Sequence, residues 1–294
     1  MFLVGTESEL CFEYVGLHLS GSGSQILFDQ LANVASIAKI ELQENNNDPN
    51  RLLTADERTK FRALVGQLNW VSGQSRPDIS FDVCEASTAL KSPTVKDILR
   101  ANKIVNKLKG CDVRLLFHVV GNLSECVLHV FADASYGNLP GGGSQGGYIV
   151  FLSSSSGSVC PLIWQSHRIK RVVRSTLAAE TLAMVEAAEA AILMGHLIAE
   201  INSGSSDGKH CNQIICHTDN KSLFDAACST KVILDKRLRV DLAALREMCD
   251  RGEICLKWIP KAHQLSDVLT KKGATSNTLL HVLQKGKVSF SSCS

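Results

Sequence analysis

From residue 125 to residue 285 the apolar positions switch between continuous runs and a helical stripe. Val127–Ala132 is apolar on both faces, as a central strand is. A glycine-rich stretch, Gly137 to Gly147, leads to a second strand at Tyr148–Leu152, and the turn Ser153–Ser158 leads to a third at Val159–Gln165. Leu177–Ile201 carries the 3.6-residue period of a long helix. After the loop Ser203–Gly208 come a strand at Ile214–Thr218, a short helix from Lys221, a helix at Lys236–Cys249, a strand at Ile254–Ile259 and a helical region beyond Gln264. This order predicts an α/β layout with a hairpin-joined half and a crossover half.

Residues 1–124 read differently. A strand-like run, Cys11 to Leu19, ends at the turn Ser20-Gly21-Ser22-Gly23, and a helix-like stretch follows at Asp29–Ala38. Glu44 to Asn50 has the composition of a loop. Thr54, with Glu57 three residues on, predicts a capping box and a helix running to about Ser72. Arg76-Pro77-Asp78 breaks the chain, and two more helices are expected at Phe81–Leu90 and Lys96–Leu108, ending at Gly110. The chain is therefore divided into a mainly helical segment at 1–124, an α/β domain at 125–285 and a disordered tail at 286–294.

The chain has 294 residues, of which 45% are hydrophobic, enough for a sizeable core. A formal net charge of +2 means that affinity for nucleic acid has to come from local patches. The 11 cysteines form no CxxC pair, which fits a reduced intracellular compartment. His210–Cys211 and Cys216–His217 have the residue types of metal ligands, but they flank the apolar pair Ile214–Ile215 and read as strand packing. The start lacks a basic segment and meets Glu7 and Glu9 at once, so no secretory signal is expected. Ala187–Ala199, the richest apolar stretch, is broken by Glu189 and His196, so no membrane span is expected and the cytoplasm, or the nucleus, is the expected location.

Four acids stand at the ends of these elements: Asp133, Glu180, Asp219 and Asp267. Asp133 ends the first strand, where an Asx turn would also suit it. Asp219 ends the strand Ile214–Thr218, where it would also serve as a helix cap. Asp267 opens a helical stretch, a position that favours acids in any case. Glu180 is harder to explain locally. Glu186, Glu189, His196 and Glu200 form the polar stripe of its helix, and Glu180 points about 170° away from it, among Met184, Ala187, Ala191, Met194 and Ile198. A carboxylate on a buried face is costly without a partner. Four acids in one volume would need cations to neutralise them. Hard oxygen ligands suit Mg²⁺, and a pair of such ions serves phosphodiester hydrolysis.

Five stretches carry a resemblance: Ala132-Asp133-Ala134-Ser135, Gly146-Gly147-Tyr148-Ile149, Arg174-Ser175-Thr176-Leu177-Ala178-Ala179-Glu180, Thr218-Asp219-Asn220-Lys221-Ser222 and Ser266-Asp267-Val268-Leu269-Thr270-Lys271. Together they resemble the ribonuclease H domain of copia-type (Pseudoviridae) retrotransposon polyproteins. The family's Ser-Thr-x-x-Ala-Glu pattern is kept, while Ala178 and Thr181 replace a further acid and an aromatic. Phe12 to Leu17 resembles the primer-grip strand of a reverse transcriptase, and Leu64–Trp70 with Ser75–Ile79 resembles its thumb and connection region. The polymerase motif Tyr-x-Asp-Asp is missing, so no polymerase activity is expected. The resemblance implies a ribonuclease H-like five-stranded mixed sheet flanked by helices, preceded by a thumb- or connection-like segment. It also implies two Mg²⁺ ions, or Mn²⁺ in their stead, on Asp133, Glu180, Asp219 and Asp267. The implied activity is endonucleolytic hydrolysis of the RNA strand of an RNA–DNA hybrid, leaving a 3′-hydroxyl and a 5′-phosphate. His263 corresponds to a mobile-loop histidine that aids turnover, and the rest of a reverse transcriptase is an implied partner.

The run His167 to Arg174 carries Arg168, Lys170, Arg171 and Arg174 with no acid, and Lys236, Arg237 and Arg239 form a second cluster. Both are expected to neutralise phosphates of the hybrid without reading sequence, and Asn220 is expected at the minor groove, where 2′-hydroxyls mark RNA. Two other functions fit less of the chain. One is a non-catalytic transposon-derived fragment that binds nucleic acid. The other is an integrase- or resolvase-type nuclease, which the thumb-like first segment disfavours.

Overall fold

The computed structural model describes residues 9–42, 48–203, 212–229 and 233–288, and two compact units divide the chain at Leu116/Phe117. In the first unit β1 (Glu9–Tyr14), β2 (Leu17–Ser22) and β3 (Gln25–Asp29) form an antiparallel meander. The single strand expected at Cys11–Leu19 is two strands, because Val15 (φ 51°) and Gly16 (φ 74°) both take left-handed backbone and turn the chain there. Gly21, read from sequence as part of a turn, lies within β2 opposite Ile26. The helices α1 (Leu31–Ser36), α2 (Ala55–Gln74), α3 (Ser80–Thr88) and α4 (Val95–Lys109) follow. The expected capping box is present, with Thr54 and Glu57 each accepting from the other's amide. Arg76 and Asp78 form a buried two-pronged ion pair, and Arg76 also donates to the carbonyls of Leu108 and Cys111, which satisfies the end of α4. Phe61, Leu68, Ile79, Ile98 and Val105 lie in the core that these helices share. β4 (Leu115–His118) completes a four-stranded sheet in the order β1-β2-β3-β4.

The second unit holds β5 (Val127–Leu139), β6 (Gly143–Ser153), β7 (Val159–Ile169), α5 (Thr176–Ser203), β8 (Gln213–Thr218), α6 (Lys221–Cys228), α7 (Lys236–Asp250), β9 (Cys255–Trp258), α8 (Asp267–Thr270) and α9 (Asn277–Lys285). The sheet order is β7-β6-β5-β8-β9, with β7, β6 and β5 antiparallel and β5, β8 and β9 parallel. This is the mixed five-stranded sheet flanked by helices that the resemblance implies. The hairpin strands are longer than expected. Most of the glycine-rich stretch is not a loop but the paired tips of β5 and β6, turned over at Gly141 and Gly142 with φ of 75° and 73°. Even-numbered β5 residues (Leu128, Val130, Ala132) share a core with Met184, Ala187, Ala188 and Ala191 of α5. The small alanines let the helix lie close to the strands.

An 18-residue stretch of the helix Thr176–Asn202 has a mean hydropathy of 1.6, and the helix is, by length and composition, long and apolar enough to cross a membrane. Glu189 and His196, the residues on whose account no span is expected from sequence, lie within this helix. Here one side of the helix covers the sheet, while Leu193, Leu197 and Ile201 are exposed. Within the stretch expected as a tail, Gly286 closes α9 in left-handed backbone and Lys287 pairs with Ser158. Residues 289–294 and the His210–Cys211 pair lie outside the described residues.

Candidate active site

Parallel pairing sets the first two acids side by side. Each β5 residue from Val127 to Phe131 faces the β8 residue 86 further on, and the same offset joins Asp133 to Asp219. β8 ends at Thr218, so Asp219 stands just beyond the strand, while Asp133 stays within β5 opposite Gly147 of β6. Asp133 therefore does not open a turn, because β5 runs on to Leu139. Nor does Asp219 cap the following helix. Asn220 does, its Oδ1 accepting from the Leu223 amide at 3.0 Å. Both local explanations that suit these acids by sequence are thereby removed.

Glu180 enters from α5, whose start is held by Ser175 Oγ accepting from the Ala178 amide at 3.1 Å. It is 6% exposed, on the side of α5 that carries Met184, Ala187 and Ala191, as the helical period requires. Asp267 is the first residue of α8, and the way α8 is seated decides the site. A side chain at Gly147 would meet Leu269 Cβ at 2.7 Å and Thr270 Cγ2 at 3.0 Å, so only glycine lets α8 settle there. Ser166 donates to the Leu269 carbonyl (2.6 Å) and Ser135 to the Thr270 carbonyl (2.8 Å), satisfying acceptors at the end of this short helix. Gln264 donates to the Ala132 carbonyl at 2.9 Å, next to where β5 loses its β8 partner.

Asp133, Asp219 and Asp267 each bring a carboxylate oxygen within 4.8 Å of the other two. Glu180 lies outside that group of three, but it is close enough that Asp133 and Asp219 both oppose its ionisation. Burial is the main cause that pushes the Glu180 carboxyl up to about 9, the two aspartates add to it, and Lys271 and a hydrogen bond with Asn220 work against it. Burial likewise pushes Asp133 up to about 6, against Lys271 and Thr270. Thr270 Oγ1 donates to Asp133 Oδ2, and Lys271 Nζ donates to Asp133 Oδ1 at 3.0 Å and to Asp267 Oδ1. Burial works against charge on Lys271, yet the Asp133 charge and the hydrogen bonds with Asp267 and Asp133 outweigh it and hold the pKa above the ordinary amine value. All the donors are hard oxygens with excess negative charge, which fits Mg²⁺ or Mn²⁺ and does not suit softer metals.

Thr270, Lys271 and Gln264 were not singled out by sequence reasoning, although the first two lie inside a matched motif. Beneath the acids on the same face of the sheet lies a second buried feature. His129 Nδ1 and His217 Nε2 share a hydrogen bond at 3.0 Å, and His217 stacks on Phe131 at 4.7 Å. Burial lowers these imidazoles to about 4 and about 3, with Lys257 adding to both and His129 adding to the effect on His217. Cys216 and His217 are thus strand-packed, as expected from sequence.

His263 is exposed, in the 3-10 turn Lys261–His263. Arg168 extends β7 with its guanidinium over Gly143, and Lys170 is exposed just beyond. The two basic clusters meet in space: Arg171 pairs with Asp241 of α7 at 2.9 Å, and Arg174 lies near enough to Asp235 to lower that acid's pKa, after its hydrogen bonds from the Leu238 and Arg237 amides. Lys236, Arg237 and Arg239 are exposed in the first turn of α7.

No protein-family model matches the chain. It is similar to the retrovirus-related Pol polyproteins from transposons RE1 and RE2 of Arabidopsis thaliana, each 26% identical over 216 residues, 72% of this chain and 14% of the relative. A putative transposon Ty5-1 protein of Saccharomyces cerevisiae is 31% identical over 118 residues, 39% of this chain and 35% of that protein. The relatives of this chain are thus transposon proteins, two of them Pol polyproteins, and the chain spans about a seventh of the length of the Arabidopsis relatives. The second unit, Phe117–Ser294, has 178 residues, so the 216-residue match reaches into the first unit. Among solved structures, a foamy viral protease-reverse transcriptase in complex with RNA/DNA hybrid has a TM-score of 0.47 at 13% identity, covering 90% of this chain and 31% of that one. RNase H1 from the archaeon Halobacterium salinarum has a TM-score of 0.34 at 19% identity, covering 46% and 86%.

Proposed function

We propose that the chain is a retrotransposon-type ribonuclease H that hydrolyses the RNA strand of RNA–DNA hybrids, with residues 125–285 as the nuclease and residues 1–124 as a reverse-transcriptase thumb- or connection-like segment. The observation that carries this reading is the convergence of Asp133 from within β5, Asp219 from just beyond β8 and Asp267 from the start of α8, with buried Glu180 close enough that Asp133 and Asp219 oppose its ionisation. The similarity to Pol polyproteins supports it. Bound on these four residues, Mg²⁺ or Mn²⁺ ions would supply Lewis acidity for an attacking water and a leaving oxygen.

The protein's own part is to hold the carboxylates in place. Thr270 fixes one oxygen of Asp133, and Asn220 ties Glu180 to the turn that carries Asp219. Gly147 admits α8, and with it Asp267. Arg168, Lys170 and Arg174, with Lys236, Arg237 and Arg239, give a basic margin for the phosphates of a hybrid. His263 is exposed on the turn before Asp267 and suits a role in product release. Asn220 is committed to the helix cap through Oδ1, which leaves its amide nitrogen for Glu180 or a 2′-hydroxyl.

The test is an end-labelled RNA–DNA hybrid incubated with the full chain and Mg²⁺. Cleavage of the RNA strand alone, abolished by chelator and reduced at least about a hundredfold in Asp133→Asn, is expected. An intact hybrid would end the nuclease reading, and binding without cleavage would favour a nucleic-acid-binding module instead.

A further inference from the structure

We infer that Lys271 is a built-in rival of the metal ions, an ammonium that holds the carboxylate oxygens until a divalent cation displaces it. The inference rests on the metal-binding part of the proposed function and adds a device that controls loading of the same site.

Three observations carry it. Lys271 Nζ donates to one oxygen of Asp133, 138 positions away, and to one oxygen of Asp267, four positions away, so the fold brings a local ion pair onto the buried carboxylate of a distant strand. Both carboxylates belong to the group of three that converges within 4.8 Å, so a cation bridging Asp133 and Asp267 would meet the ammonium on the same two carboxylates. Two cations on one buried carboxylate repel strongly, and the ammonium is the one on a flexible stem. Lys271 can leave. It lies just past α8 in extended backbone (φ −120°, ψ 127°), and its side chain is 31% exposed, unlike that of Asp133 at 1%. Thr270 keeps its hydrogen bond to the other oxygen of Asp133, so the carboxylate stays oriented while its cation is exchanged. The exchange is ionic, with no bond made or broken: a carboxylate-bound ammonium becomes a solvated one, and a hydrated divalent ion loses water to the carboxylates.

The test uses the full chain without nucleic acid. Calorimetric titration with Mn²⁺ compares the wild type with Lys271→Met, which removes the charge and keeps the stem, and with Lys271→Arg, which keeps the charge. Lys271→Met is expected to bind Mn²⁺ at least about tenfold more tightly, and Lys271→Arg to stay within about threefold of the wild type. Equal or weaker binding by Lys271→Met, or equal tightening in both variants, would overturn the inference. A second readout needs no variant. Acetylation of wild-type Lys271, followed by mass spectrometry, is expected to speed up at least about fivefold on addition of Mg²⁺ while exposed Lys170 keeps its rate. An unchanged rate at saturating Mg²⁺ would overturn it as well. If the wild type and the variants all take up no Mn²⁺ at millimolar concentration, the metal site itself fails and this inference with it. Metal binding that ignores Lys271 removes only the inference.

Discussion

Replacing Glu180 by glutamine should make the metal-free protein more stable while destroying its activity. The size of the effect follows from the burial of the carboxyl. Its ordinary value is 4.5 and the folded protein pushes it up to about 9, chiefly by burial and then by the charges of Asp133 and Asp219. At pH 7 the cheaper course is to hold the group protonated, which costs the distance from 4.5 to 7, or about 3 kcal/mol. Glutamine has the same shape and no such cost, although its amide loses about 1 kcal/mol of hydration. The balance is about 2 kcal/mol in favour of Glu180→Gln. In a unit of this size that corresponds to a rise in melting temperature of roughly 4–8 °C. The sign with pH follows. A carboxyl whose folded value is raised contributes fully below about 4.5 and is lost as pH rises through about 9, so the wild type should weaken across that window and the variant should not. The assay is thermal unfolding in chelator from pH 5 to pH 9, followed by circular dichroism, and repeated with Mg²⁺. Added metal should stabilise the wild type by mass action and the variant much less. A variant that melts at or below the wild type in chelator would refute the reasoning.

Other predictions rest on separate features. The His129–His217 pair has lowered values of about 4 and 3, so its contribution is complete above pH 6.5 and is lost as pH falls through those values. Several kcal/mol are withdrawn, on the order of a domain's whole stability, and the circular dichroism signal of the second unit should collapse between pH 5 and pH 3; a native signal at pH 2 would contradict this. Gly147→Ala would press on Leu269 and Thr270, so it should cost about 1–3 kcal/mol in urea unfolding and weaken Mn²⁺ binding by moving α8; unchanged values would show that α8 is seated otherwise. Lys170→Ala should lower the salt dependence of hybrid binding by about one unit of slope, while Arg171→Ala should do less, because Asp241 already holds Arg171; fluorescence anisotropy at several salt concentrations compares them.

Much of the second unit was legible because its signals are local. The continuous apolar runs mark β5 and β8, and the helical period alone turned Glu180 toward the core. Strand ends were less legible. Gly137–Gly147 has the composition of a loop, yet backbone pairing extends through it, since glycine suits both a strand tip and a turn. In the first unit, Val15 in left-handed backbone split a run that reads as one strand. The site was half legible. The acids can be found one at a time, near the ends that the sequence predicts for their elements, but the partners that arrange them cannot. Lys271 meets Asp133 across 138 residues, Ser166 meets α8 across 103, and His129 meets His217 across 88. Such contacts leave no periodic trace in the chain. They depend on the register of β5 with β8 and on the small size of Gly147.

The most direct measurement is anomalous diffraction from crystals of the full chain soaked in Mn²⁺. The account predicts two peaks about 4 Å apart, ringed by the carboxylates of Asp133, Glu180, Asp219 and Asp267, with Lys271 turned away from them. Peaks elsewhere on the surface, with Lys271 still on Asp133 and Asp267, would contradict it.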